Sequence, residues 1–139
     1  MDDLKINYNY FNEVARKGIP KMNPKSREYL EWWREELNRC RNGYSVGGKY
    51  MSGYQYGYIN YGTIELYNEK KGRKEQGHPM LRDVEWEVFS RIDQAQKEKK
   101  GFFWITGRRG GKSYICSWAA ASEFSFYNDN EVVIGGFMH

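Results

Sequence analysis

The sequence predicts an α/β fold whose C-terminal part is a parallel βαβ unit, preceded by a helical and a tyrosine-rich extended region. Three observations lead there. Phe102 to Ile105, "FFWI", and Glu131 to Gly136, "EVVIGG", are short apolar runs of the buried-strand type, and the alanine-rich stretch Lys112 to Phe124 between them reads as a helix. Strand, loop, helix, turn and strand in that order imply parallel pairing with a right-handed crossover. Upstream, two segments repeat apolar residues at three- and four-residue spacing, the signature of amphipathic helices.

The chain divides into residues 1–43, 44–80 and 81–139. Met1 to Met22 has no sustained period, and "RKGIPKMNP" punctuates it with two prolines and a glycine, so it reads as an irregular lead-in with one short helical turn near Tyr10 to Arg16. Asn23 can cap a helix and Pro24 suits its first position. Leu30, Trp33, Leu37 and Cys40 then form one stripe up to Asn42-Gly43. From Tyr44 to Tyr67 the composition turns to glycine and tyrosine. Tyr54, Tyr56 and Tyr58 alternate ahead of a β-prone "TIELY", which predicts extended structure with bends at Gly53 and Gly57. "NEKKGRKEQGHP", Asn68 to Pro79, reads as a charged loop whose basic residues are either solvated or placed to touch phosphates. Leu81, Val84, Val88, Ile92 and Ala95, widened by Phe89, predict a second helix that "KEKKG" closes with positive charge at its C-terminal end.

With 139 residues the expectation is one domain. A mean hydropathy of −0.90 beside 40% hydrophobic residues concentrates the apolar content in a few segments. Twelve tyrosines tolerate half-wet positions, which favours an interaction surface or a core completed by further sequence. A net charge of +4 allows contact with nucleic acid without demanding it. Cys40 and Cys116 have no metal-ligand spacing and read as reduced, packed thiols; His78 and His139 have no partner at catalytic spacing. No apolar run approaches the ~20 residues of a membrane span, and "MDDLKINYNY" is unlike a signal peptide, so a soluble, intracellular protein is expected.

The chemistry concentrates in "ITGRRGGKSY". A phosphate-binding loop needs inward-pointing backbone N–H groups, a helix N-terminus, and small residues that let polyphosphate approach. Gly110 and Gly111 give the backbone freedom, Lys112 can reach the β and γ phosphates, and Ser113 can ligate Mg2+ through its hydroxyl. Thr106 stands where the usual pattern has its first glycine, and Gly107 follows directly to supply the same flexibility. Arg108 and Arg109 could stabilise charge developing on a transferred phosphoryl group, or project outward to acidic neighbours.

This loop, with its non-glycine first position and its arginines, together with "PMLRDVEWEVFSRI" and "GYINYGTI" before it and "EVVIGG" after it, resembles the ATPase domain of phage terminase large subunits, the motors that package DNA into procapsids. The likeness spans about Tyr54 to Gly136. It implies an incomplete P-loop ATPase domain of the RecA-like, additional-strand type, binding ATP and Mg2+ through Thr106, Gly107, Arg108, Arg109, Gly110, Gly111, Lys112 and Ser113, with Arg108 as the catalytic arginine. It further implies double-stranded DNA, a portal protein and a small terminase subunit as partners, a homo-oligomeric ring in the parent, and the cytoplasm of an infected bacterial host as the setting. The family's adenine contact, often a glutamine, would fall near Val84 to Trp86, where Glu85 stands. No aliphatic run ending in Asp-Glu follows the loop, and the family's nuclease domain has no counterpart, so the resemblance implies the N-terminal part of a longer motor, inactive as a hydrolase alone. Two other readings stay open: another P-loop enzyme such as a helicase, and a nonenzymatic interaction module whose tyrosines between Tyr44 and Tyr67 stack on bases.

Overall fold

The computed structural model describes residues 16, 20–107, 112–127 and 133. Within them lie four helices and two small antiparallel sheets: α1 (Arg27–Asn42), β1 (Tyr44–Val46), β2 (Lys49–Met51), α2 (Gly53–Tyr61), β3 (Ile64–Asn68), β4 (Arg73–Gly77), α3 (Asp83–Lys97) and α4 (Lys112–Phe126). β1 pairs only with β2 and β3 only with β4.

α1 starts three residues later than the Asn23-Pro24 signal suggested. Ser26 is the N-cap and its hydroxyl accepts from the Tyr29 N–H at 3.2 Å, while the Asn23 carbonyl accepts from the Ser26 N–H in the preceding turn. The helix ends on Gly43 at φ +89°, where any side chain would meet the Met51 carbonyl. Gly47 and Gly48, both at positive φ, make the tight turn between β1 and β2.

The sequence expectation of an extended segment through Tyr54, Tyr56 and Tyr58 is wrong for its centre, because Gly53–Tyr61 is a helix. Ser52 and Gln55 form a capping box: the Gln55 N–H bonds to the Ser52 hydroxyl and the Ser52 N–H donates to Gln55 Oε1 at 2.7 Å. Every residue from Gly53 to Asn60 is buried, so no amphipathic period exists to betray the helix. α2 is the centre of the molecule, with α1, α3 and α4 packed around it.

Two glycines one turn apart make that possible. A Cβ at Gly53 would stand 2.0 Å from the Cys40 carbonyl oxygen of α1, and one at Gly57 would stand 2.9 Å from the Trp118 ring of α4. The apposed backbones bring Glu36, 1% exposed, against α2. Its carboxylate accepts from Tyr56 Oη at 2.7 Å, Tyr61 Oη at 2.5 Å and Arg39 Nη1 at 2.8 Å. A buried carboxylate is tolerated only when paired and saturated in this way. Gln55 ties α2 to α3 by donating to the Trp86 carbonyl at 2.8 Å and to the Ser90 hydroxyl at 2.7 Å. Phe89 fills the space between the Tyr54 and Tyr58 rings.

The second helix is present as α3, closed by the Lys97 to Asp93 ion pair. Its Val84 is exposed while Trp86 is buried, so the apolar stripe is rotated from the expected one. "NEKKGRKEQGHP" is mostly strand and turn rather than loop: β4 returns along β3 with Tyr67 opposite Lys74 and Leu66 opposite Glu75. Lys71 and Arg73 pair with Glu75, and Lys74 with Glu65.

The expected parallel βαβ unit is not formed among the described residues. Phe102 to Ile105 belongs to no strand; Phe103 is 87% and Ile105 83% exposed, with only Trp104 turned to the core. A parallel strand requires neighbours on its edges and cover on its faces, and no described strand lies beside this run. Of the second expected strand, Glu131 to Gly136, only Val133 is among the described residues, and it is 83% exposed. The short helical turn expected near Tyr10 lies outside them. Arg16 donates to the Ile59 and Pro79 carbonyls at 3.3 and 2.7 Å, satisfying backbone at the end of α2. No helix is long and apolar enough to cross a membrane among the described residues.

Two outcomes follow. Gly53→Ala is expected to cost about 1–3 kcal/mol of stability, read as a lower urea midpoint, because its new methyl meets backbone rather than a movable side chain; an unchanged midpoint would contradict the close approach. The second concerns pH. Burial pushes the Cys40 thiol up to about 12 and Tyr58 up to about 12, and raises Tyr54, Tyr56 and Tyr61 as well. In the unfolded chain these groups ionise near their ordinary values, about 8.5 for Cys and about 10 for Tyr. Between those values and the folded ones the unfolded state holds fewer protons, so stability is complete below about pH 8.5 and falls as pH rises beyond it. Urea unfolding across this range should show the decline, with Cys116 but not Cys40 open to thiol reagents at neutral pH; a flat profile would refute it.

Candidate phosphate-binding site and the adjoining groove

The described part of α4 begins at Lys112, the residue that follows the glycine pair of "GRRGGKS" in sequence. Lys112 and Ser113 are both exposed in its first turn, while Ile115, 1% exposed, anchors that turn in the core. Thr106 is half-buried and Gly107 exposed in the irregular segment before it, with none of the described residues within 4 Å of where a Gly107 Cβ would stand. Arg108, Arg109, Gly110 and Gly111 lie outside the described residues. Thus four of the eight expected loop residues are placed: Thr106 and Gly107 in the irregular segment, and Lys112 and Ser113 in α4.

The remainder of α4 is held firmly. Trp118 Nε1 donates to the Tyr54 carbonyl at 2.9 Å, and the Tyr54 hydroxyl donates to Glu123, which also accepts from Gln96 Nε2 at 2.7 Å. Arg41 donates to the Phe126 carbonyl and Tyr127 Oη donates to the Arg41 carbonyl at 2.8 Å, tying the helix end to α1. The helix that would carry the phosphate-binding terminus is therefore fixed by α1, α2 and α3.

A groove of about 290 Å3 runs beside the first turns of α4. One wall is Tyr58, Tyr61 and Thr63; the other is Tyr114, Ser117 and Trp118, at helical spacings that share a face. Tyr58 meets the Trp118 ring edge-on at 5.8 Å between centroids. Of these residues only Tyr58 and Tyr61 fell within a sequence expectation, as base-stacking tyrosines of an interaction module; Thr63, Tyr114, Ser117 and Trp118 were not singled out. The tyrosine alternation that suggested a strand concealed them, and the spacing of Gly53 and Gly57 was the available sign of tight helix packing.

Other expected residues have structural partners. Glu85 accepts from the Arg82 backbone N–H at 3.0 Å and pairs with its guanidinium at 2.6 Å, which fixes the start of α3. Tyr54, Tyr56 and Tyr58 are buried, so they do not form the exposed base-stacking surface of an interaction module. His78 Nδ1 donates to the Gly62 carbonyl at 3.0 Å. The described residues contain no group of three or more His, Cys, Asp or Glu side chains that could hold a metal. Mg2+ commonly keeps several waters and is held by few protein oxygens together with phosphate, a role open to the exposed Ser113 hydroxyl. No family model, curated protein or solved structure matches the chain.

Proposed function

We propose that the chain contributes the phosphate-binding end of an ATPase of the phage terminase large-subunit type, of RecA-like fold, whose parent couples ATP hydrolysis to translocation of double-stranded DNA. In this reading Lys112 neutralises the β and γ phosphates and Ser113 meets Mg2+. Thr106, Gly107, Arg109, Gly110 and Gly111 supply the wrapping backbone, and Arg108 stabilises charge on the γ-phosphoryl group. The portal protein, the small terminase subunit and a ring of identical subunits belong to the same proposal, as does the infected bacterial cytoplasm.

What supports it is the meeting of this motif with a helix. Lys112 and Ser113, the last two residues of the Gly-Gly-Lys-Ser run, are the first two described residues of the 15-residue α4, and both are exposed. That puts helix N–H groups, a partial positive charge, an ammonium and a hydroxyl at one end, the set of groups a polyphosphate requires. The irregular conformation of Phe102 to Ile105 lends no support, so the weight falls on the departing helix and on the residues of the loop.

Calorimetric titration with Mg-ATP tests it. Lys112→Ala leaves an exposed position with a good helix former, so the fold should persist while affinity drops at least about tenfold, the scale of a lost charged hydrogen bond. Equal affinity for the two proteins would sink the proposal.

A further inference from the structure

We propose that the aromatic groove between α2, the start of β3 and α4 receives the base of the nucleoside triphosphate whose phosphates take the Lys112 end of α4. This rests on the phosphate-binding reading and assigns the opposite end of the same ligand.

Tyr58 supplies the first argument. It is 7% exposed and lines the groove, with its hydroxyl left open to an entering group rather than sealed in the core. Like any phenol it is protonated at neutral pH, and burial pushes it further up, to about 12. It therefore offers a directed hydrogen bond to an acceptor that enters the groove, and a ring nitrogen or exocyclic oxygen of a base is such an acceptor.

The walls supply the second. Tyr114 is 60% exposed despite its size, and with Tyr61 and Trp118 it gives flat aromatic surface for a planar heterocycle. Ser117 and Thr63 are exposed on opposite walls, with hydroxyls for the polar edge of a base or its sugar. A groove of 290 Å3 lies at the low end of the about 300–1,000 Å3 typical of small-molecule sites. It suits a base and leaves no room for a whole nucleotide, so the polyphosphate must lie outside it. Ser113 stands one turn before Ser117, about 6 Å along the axis, so the wall of the groove continues directly into the phosphate end of the helix.

This location differs from the Val84 to Trp86 segment, where Glu85 is engaged by Arg82 and Trp86 is buried.

The test compares Mg-ATP with Mg-tripolyphosphate, which lacks a base, by calorimetry on wild type, Tyr114→Ala and Tyr58→Phe. Tyr114→Ala alters an exposed side chain and Tyr58→Phe removes one hydroxyl, so both variants should fold. Expected are a loss of ATP affinity on the order of tenfold for Tyr114→Ala, a smaller loss for Tyr58→Phe, and unchanged tripolyphosphate affinity for both. Unchanged ATP affinity, equal losses for both ligands, or a wild type that binds the two ligands equally would overturn the base site while leaving the phosphate site standing. Should wild type bind neither, the phosphate reading falls, and adenosine then decides. Adenosine binding weakened about tenfold by Tyr114→Ala would sustain the groove, and no adenosine binding would end it.

Discussion

The approach of α2 to the Cys40 carbonyl is the constraint from which the other contacts descend. With a glycine at position 53 the two backbones come close enough for Glu36 to reach Tyr56 and Tyr61, and for Cys40 to lie against Gly57. Any larger residue would separate the helices and strand a carboxylate in the core. The energetic logic is therefore conditional: the buried charge is harmless because Arg39 and two phenols saturate it, and they saturate it because the spacing is short. Specificity and close packing arise here from the same residue.

α2 also explains why tyrosine is so abundant. A helix wrapped on three sides must fill space in every direction, and its neighbours expose carboxylates, amides and carbonyls as well as apolar atoms. Tyrosine supplies both a packing ring and a terminal donor. Tyr54 reaches Glu123, Tyr56 and Tyr61 reach Glu36, and Tyr58 packs its ring on Phe89 and Trp118. Of the tyrosines that the composition suggested for an interaction surface or for a core completed by further sequence, Tyr54, Tyr56 and Tyr58 lie in the core, while Tyr50, Tyr67 and Tyr114 are exposed.

How far the sequence could be read depended on which signals were local. α1 and α3 were legible because capping residues and three- and four-residue spacing survive in the linear order, and α4 because of its alanine-rich composition; their described ends moved by only a few residues. α2 was not, since a helix buried on all sides has no polar face and Tyr54, Tyr56 and Tyr58 happen to mimic a strand. β4 escaped because "RKEQG" has no apolar alternation, both of its faces being wet. Phe102 to Ile105 failed as a strand for a different reason: its composition is strand-like, but strand formation needs a partner that local sequence does not encode. For the candidate site, Lys112 and Ser113 came from the motif, whereas the groove needed Tyr58 and Tyr114, 56 residues apart in sequence, to be brought together by the fold.

The β3–β4 hairpin divides the molecule into regions of unlike character. Its strands are joined by backbone bonds and by a lattice of exposed charges centred on Glu75, which takes Lys71, Arg73 and Asn68 together. Such an element owes little to apolar burial, and mobile ions compete for its attractions over a Debye length of about 8 Å at physiological ionic strength. Salt thus acts on the hairpin and on the exposed ion pairs along α1 and α3, such as Arg27–Glu31 and Lys97–Asp93, while the apolar and sealed contacts between the helices are almost untouched. The chain carries two separately adjustable stabilities, one set by the medium and the other by packing.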